Sequence, residues 1–555
     1  MKEKVADLIK KSLDSKVKLS KEEISKLIEI PPSIEMGDFS FPCFILAREL
    51  KKSPKDIALE LKEKIKKLPK EIATVEAVNG YLNFYLNRVI LAESLIKEIL
   101  SKKTKFGSVN LGNKKTTLIE HTSINPNASP HVGRARNALI GDSIVRILKF
   151  LNYKTEVHYY VNDVSKQIAM LVLAKAENLK FEDMLKKYIE ISKKVENSEV
   201  LEKQVFELLE KFEKQDKTVV AKFKKITETC VKGQAKILSE LGIKYDHFDY
   251  ESKYLKDANK ILSDLEKTKK LFTDEEGRKV LDLKNTDIEG QMKSPVLVLT
   301  RSDSTGLYPL RDISYTIEKM KKSKKNIIVL GEDQKLYFQQ IKNALSFLNQ
   351  KSPEVVHYSF ILIQENGESK KMSTRKGDVV LLGDFLNDAI KKAKIEIEKR
   401  KTKGNSKTVG IWAVKYSILK NSNNKIINFN LDDALSFEGD TGPYLLYSYA
   451  RASSILRKAK KATKSKLNQL EEKEIELIKK LSIFPEVVLT SYKTLNPSLI
   501  ANYSYQLAQI FNEFYHSCPV IGNEKEFFRL NLVKAFTIVL KNSLNLLGIE
   551  TIEEM

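Results

Sequence analysis

Apolar residues set the first division of the chain. In RNALIGDSIVRILKFL, positions Leu139, Ile140, Ile144, Ile147, Leu148 and Leu151 recur at helical spacing. A strand-like run, KTTLIEHT, precedes this helix, and KTEVHYYVND follows it as a second strand. Strand, loop, helix and strand within about fifty residues make a βαβ unit and predict a parallel sheet. Strand patterns return at SPVLVLT, NIIVLGED and VHYSFILIQ, alternating with helices. Residues 115–290 and 291–400 therefore read as two halves of one doubly wound parallel sheet. Between them, about 166–242 is helical and heavily charged, with LEKQVFELLEKFEKQ as its clearest part.

The flanks differ in pattern. Ahead of the polar stretch 101–115 lies a mixed unit. It holds a helix, the break IPPSIEMGDFS, a helical stretch over 41–67, the β-rich runs IATVEAV and GYLNFYLN, and a further helix. After the charged linker KRKTKGNSK almost everything reads as helix. Three units are thus expected: an α+β unit over 1–107, an α/β unit over 108–405 with a helical insertion at about 166–242, and an all-α bundle over 406–555. A chain of 555 residues is in keeping with roughly three to four domains.

Composition narrows the partners. Lysine and arginine exceed aspartate and glutamate by 96 − 73 = 23, with a pI near 9.4. That favours a polyanion such as nucleic acid, although a lysine-rich bias on solvated faces would give the same total. With 42% hydrophobic and 30% charged residues the chain is expected to be soluble and globular. No apolar run reaches the roughly 18 residues of a membrane span. Charges interrupt MKEKVADLIKKSLDSKVKLSKEEI, so it reads as an amphipathic helix rather than a signal peptide. Cys43, Cys230 and Cys518 lie far apart and suggest neither a disulfide framework nor a zinc knuckle, in keeping with a reducing cytosol.

Two loops carry the chemistry. HTSINPNASPHVGRARNALIGD sits where a strand hands over to a helix, and could serve a nucleotide, a metal or merely a turn. Pro130 suits the helix start, Gly133 allows close approach to the backbone, and the free N–H groups there favour phosphate. His131 adds a donor. His121 and His131 lack helical spacing and a third ligand, so zinc is not expected. The second loop is KMSTRKGD, in which three cations surround a serine and a glycine as a clamp for polyphosphate. Each loop alone is compatible with a solvated turn; the pair is far more specific.

With those two loops side by side, the chain resembles the class I aminoacyl-tRNA synthetases, whose catalytic domain is Rossmann-like. HVGR is similar to their HIGH signature and KMSTR to their KMSKS loop. HTSINPN, YYVNDVSKQ, TGLYPLRD, KMSTRKGDVV and EGDTGPYLLYSYARASSILRK together resemble arginyl-tRNA synthetases, particularly archaeal-type sequences. So does the closing run RLNLVKAFTIVLKNSLNLLGIETIEEM, while EMGDFSFPCFILAREL and NGYLNFYLN resemble the family's additional N-terminal tRNA-binding domain. The resemblance covers nearly the whole chain in order.

The resemblance implies ATP-dependent activation of L-arginine and its transfer to the terminal adenosine of tRNA(Arg). It assigns ATP to His131, Gly133, Arg134, Lys371, Ser373, Arg375 and Lys376, with His131 and Lys371 catalytic. Arginine falls to Asn125, Glu251, Tyr308, Asp312 and Gln334. In YPLRD, Tyr308 and Asp312 stand one helical turn apart on one face. Carboxylates suit a guanidinium because they grip it bidentately. Residues 406–555 resemble a DALR anticodon-binding bundle, with Tyr447, Arg451, Tyr515 and Met555 at the tRNA. In the N-terminal unit Asn83 and Tyr85 are further tRNA candidates. ATP with Mg²⁺ is the expected nucleotide substrate, with no structural zinc, no organic cofactor, no membrane and a cytoplasmic monomer.

Two departures stand out: Arg134 replaces the family's usual second histidine, and Ala128 replaces a lysine often found three residues before the first. KMSTR also lacks the second lysine, for which Arg375 or Lys376 could stand in. Three rivals follow: a class I synthetase of cysteinyl or glutamyl type, a simpler nucleotidyltransferase, or an inactive tRNA-binding protein.

Overall fold

Local sequence signals place the first helices. Lys2–Ser12 buries Val5, Ala6 and Ile9, and Lys21–Leu27 opens with a capping box in which Glu23 N donates to Ser20 Oγ and Ser20 N donates to Glu23 Oε2. This computed structural model describes residues 1–303, 305–365, 368–370, 380–401, 404–460 and 462–555. It divides into two compact units, one of Met1–Lys103, Ala459–Ser482 and Glu513–Ala535, the other of Thr104–Lys458, Ile483–Asn512 and Phe536–Met555. The last third of the chain thus contributes to both.

In the first unit β1 (Phe39–Pro42), β2 (Ile72–Val78) and β3 (Tyr81–Leu86) form an antiparallel sheet in the order β1-β3-β2. The expected helical stretch over 41–67 is corrected at its start and in its continuity: Phe41 and Pro42 pair with Leu82 and Tyr81, a 3-10 turn (Cys43–Leu46) and one helical turn (Ala47–Leu50) follow, and the main helix runs Pro54–Lys64, capped by Ser53. Alternation decides the matter, because Ser40 and Phe41 are both buried, one on each face of the strand. Val5, Ile24, Phe41, Leu61 and Phe84 share this unit's core.

The second unit contains β4 (Thr116–Glu120), β5 (Lys154–Val161) and β6 (His247–Tyr250). Next come β7 (Leu271–Thr273), β8 (Lys279–Asp282), β9 (Val296–Val298), β10 (Lys325–Gly331) and β11 (Glu354–Tyr358), then β12 (Ile361–Glu365), β13 (Glu368–Lys370) and β14 (Ile427–Phe429). Five of these build the central sheet in the order β11-β10-β4-β5-β6, parallel throughout. The order reverses between β4 and β10, which opens a crevice at the carboxyl ends of those strands. The helices Lys166–Leu173, Phe181–Glu196, Glu199–Glu213 and Lys217–Glu240 lie between β5 and β6 in sequence and share a core around Met184, Tyr188, Phe212 and Phe223.

Three expectations need correction here. SPVLVLT does not join the parallel sheet; Val296–Val298 pairs antiparallel with β8 in a separate β7-β8-β9 sheet. VHYSFILIQ is two strands, because the chain breaks at Ser359, whose N–H donates to Asn423 O. And β14, in the stretch expected to be all helix, pairs in parallel with β12.

Candidate active site

The turn after β4 is strained. Thr122 and Ser123 hold φ of 81° and 42°, and a β-branched residue there is an outlier that its surroundings must enforce. Thr122 N donates to Asn137 Oδ1 at 2.5 Å, and Thr122 Oγ1 lies 2.8 Å from His121 Nδ1 and 2.7 Å from Tyr245 Oη. Further along, Gln234, buried in the long insertion helix, donates to the carbonyls of Asn125 and Ala128 at 2.9 and 2.8 Å. The insertion therefore fixes the loop that carries the motif. Ala128 is 2% exposed, an interior position that offers no cation.

His131 is the N-cap of the helix Val132–Phe150. Its Nδ1 is buried without a hydrogen-bond partner. Burial, with Arg134 nearby, pushes the imidazole down to about 4, so the ring is neutral at neutral pH. His131, Gly133 and Arg134 line a cavity of about 160 Å³ with Gly331, Asp333 and Tyr358. Arg134 makes no ion pair among the described residues.

The basic loop's calls, Lys371, Ser373, Arg375 and Lys376, lie outside the described residues. Its two flanks are described. β13 pairs with β12 before it. After it, Val132 N donates to Val380 O at 3.0 Å, Leu382 N donates to Pro130 O at 2.8 Å, and His131 bridges Leu381. The segment that follows the basic loop is thus bonded directly to the HVGR turn. Arg136, one turn further on and 0% exposed, donates to the carbonyls of Ser359, Ser422 and Lys425 at 2.6 to 2.8 Å. It ties the β11–β12 break, hence Phe360 and Ile361 of the same cavity, to the motif helix.

A second cavity, about 440 Å³, shares Asp333 with the first. All five residues assigned to arginine line it: Asn125, Glu251, Tyr308, Asp312 and Gln334. They come from the ends of β4, β6 and β10 and from the first turns of the helix Tyr308–Lys322. Burial raises Asp312 above the usual carboxylate range, although the Tyr337 hydroxyl, donating at 2.5 Å, pulls it back. Burial also raises Glu251, against the pull of Arg311, which donates to it at 2.6 Å. Glu251 is therefore no surface acid; it is 1% exposed and already holds a guanidinium, that of Arg311. Tyr160, also in this wall, turns its hydroxyl to the Asp312 carboxyl, and Asn162 Oδ1 is buried without a partner among the described residues. A cavity walled by two carboxylates, with an unanswered amide oxygen beside them, suits a cationic ligand with several hydrogen-bonding groups.

Sequence reasoning missed Glu120, Tyr160, Asn162, Lys319 and Tyr337 in this wall. Glu120 pairs with Lys319, both buried, and Lys319 Nζ lies 4.1 Å from the Tyr315 ring centroid. Position at a strand's carboxyl end is a signal for Glu120 and Tyr160. Nothing local distinguishes Tyr337 or Lys319.

The tRNA candidates fall differently. Asn83 is 6% exposed and accepts from Ser40 Oγ at 2.5 Å, so its side chain holds the sheet of its own unit rather than facing outward. Tyr85 donates to Glu35 O at 2.8 Å. Tyr447 and Tyr515 are exposed. The Arg451 guanidinium stacks 4.8 Å over Tyr447 and donates to Asn512 Oδ1 at 2.7 Å. Met555 lies against Gly404.

An open parallel sheet, a helix-start turn at its switch point and an adjoining polar cavity make a nucleotide-binding Rossmann-like domain, and the family models place it among the class I aminoacyl-tRNA synthetases. A model of the family "tRNA synthetases class I (R), catalytic domain" matches residues 95–432. The "Arginyl tRNA synthetase N terminal domain" matches 3–86 and the "DALR anticodon binding domain" 445–555. The chain belongs to the arginyl-tRNA synthetase family. It is 38% identical to an arginine–tRNA ligase of Methanocaldococcus jannaschii over 95% of this chain and 96% of that one. With an arginine–tRNA ligase of Clostridium perfringens it shares 35% identity over 99% of both chains. Among solved structures, the Thermus thermophilus arginyl-tRNA synthetase superposes with a TM-score of 0.76 at 28% identity, covering 95% of this chain and 96% of that one.

Proposed function

We infer that this chain is an arginine–tRNA ligase whose amino acid binds the larger cavity and whose ATP binds the smaller. The observation that supports this reading is the shared wall at Asp333, by which the cavity lined by His131 adjoins the one lined by Asp312 and Glu251. Asp312 takes the substrate guanidinium, with Tyr308 and Gln334 beside it, and Asn125 holds the amino-acid end. Glu251 acts through Arg311, shaping the wall. His131, Gly133 and Arg134 meet the nucleotide, and Lys371 and Ser373 close over the pyrophosphate, with Arg375 or Lys376 supplying the remaining cation.

A carboxylate oxygen of arginine attacks the α-phosphorus. The bond from that phosphorus to the bridging oxygen breaks, and pyrophosphate leaves with its electron pair. Charge grows on the leaving group, so positioned donors and cations lower the barrier and no protein nucleophile is needed. A ribose hydroxyl of the terminal adenosine then attacks the activated carbonyl; the hydroxyl proton is lost and AMP departs. Mg²⁺ accompanies ATP, and the enzyme works as a cytoplasmic monomer. Tyr447, Arg451, Tyr515 and Met555 meet the anticodon end, and Tyr85 the other arm of the tRNA, with Asn83 fixing its strand.

Pyrophosphate exchange, run for each amino acid with and without tRNA, tests this reading. Exchange is expected with arginine alone among amino acids. Exchange with cysteine or glutamate, or none under either condition, would refute it.

A further inference from the structure

On β5 and β6 the sheet gathers Glu156, His158 and His247. His158 and His247 are register partners across the parallel pair, and Glu156 is two residues before His158, on the same face. One ligand atom from each of the three lies within 4.8 Å of the other two. The two rings stack at 4.6 Å between centroids. His158 is 2% exposed; its Nδ1 is 2.5 Å from Asp249 Oδ2, and its Nε2 is buried without a partner. With Nδ1 engaged by that carboxylate, Nε2 is the ring nitrogen left to meet a ligand. Asp249 itself is anchored by the Tyr315 hydroxyl at 3.0 Å.

We propose that Glu156, His158 and His247 bind one divalent ion of the zinc class, with Asp249 orienting His158 behind it. Two imidazoles and a carboxylate are a donor set for zinc, cobalt or nickel, whereas magnesium and calcium take oxygen ligands. The carboxylate–histidine arrangement is the usual support of a metal-bound imidazole. His158 is fixed by burial; His247, which is exposed, swings to complete the set. Three protein ligands leave a position for water. The ion would clamp β6, a four-residue edge strand, onto β5. Glu251 begins directly after β6, so the clamp bears on the arginine wall, and this consequence alone rests on the function proposed above.

Calorimetric titration of the untagged full-length protein with zinc chloride, paired with visible absorption of the cobalt form, tests the site. One equivalent is expected, with the cobalt bands of a low-coordinate nitrogen–oxygen site. Affinity falls at least tenfold in His247→Ala, a change at an exposed residue that spares the fold, and about 10–100-fold in Asp249→Asn. Zinc also raises the melting temperature of the native chain and not that of His247→Ala. Absence of saturable binding, or binding and spectrum unchanged in His247→Ala, overturns the proposal. Arginine-dependent pyrophosphate exchange in the same preparations reports separately on the ligase reading.

Discussion

At the scale of single residues, the site works through groups kept in unusual states. His131 is half-buried and neutral, with its Nδ1 short of a partner, which suits it to donate to a phosphate or ribose oxygen as charge develops. Removing one such donor typically costs about 10²–10³ in rate. His131→Ala is expected to lose that much in arginine-dependent pyrophosphate exchange while tRNA affinity holds; near-normal exchange would sink its assignment. Arg134 gives a permanent cation where a histidine would be neutral, so Arg134→His should raise the KM for ATP. An unchanged ATP dependence would show that the arginine does not compensate. Asp312 carries the pH dependence. Its carboxyl is raised, so it is partly protonated at the acid end of the range and ionises as pH climbs. A neutral carboxyl cannot pair with a guanidinium, hence arginine affinity should rise with pH through the upper carboxylate range. Asp312→Asn should flatten that rise and weaken arginine roughly 30-fold or more, the usual cost of unpairing a buried charge. Steady-state KM measured across pH decides it.

At the scale of elements, the fit of the motif helix to the sheet is close. A Cβ added at Gly141 would meet the His121 ring at 2.3 to 2.6 Å, and His121 is itself fully enclosed. Alanine favours a helix over glycine by about 1 kcal/mol, but overpacking a filled interior costs about 1–3 kcal/mol. Packing wins, so Gly141→Ala should lower the denaturation midpoint; a rise would mean that His121 has room to move. The central strand–loop–helix–strand run was legible because its two periodicities are long and clean. Short strands were not: β6 and β14 run four and three residues and are held by partners far away in the chain, and the strands of the β7-β8 hairpin are too short to show a period. Periodicity cannot register a strand whose only argument for being one is its neighbour.

At the scale of the whole molecule, net charge outweighs any single contact. An excess of 23 positive charges makes tRNA binding a counterion-release problem. The logarithm of tRNA affinity should fall linearly with that of salt, by roughly 10³-fold between 50 and 200 mM if about six phosphates are neutralised. The KM for arginine should move far less, because one guanidinium displaces few counterions where a tRNA backbone displaces many. A flat salt response of tRNA binding would put the recognition elsewhere than the backbone. Among the described residues no helix is long and apolar enough to cross a membrane.

The resemblance carried by the ordered motifs pointed to Asn125, Glu251, Tyr308, Asp312 and Gln334, which the fold brings to one cavity, and to the His131 turn of the cavity beside it. Only the tertiary structure could show that Glu251 is already engaged by Arg311, that Asn83 is turned inward, and that Tyr337 and Lys319 complete the cavity wall. These are facts of burial and of partners distant in sequence, where desolvation and pairing energies are decided by what packs around a group. The sequence holds the list of chemical groups; the packing decides which of them remain unanswered.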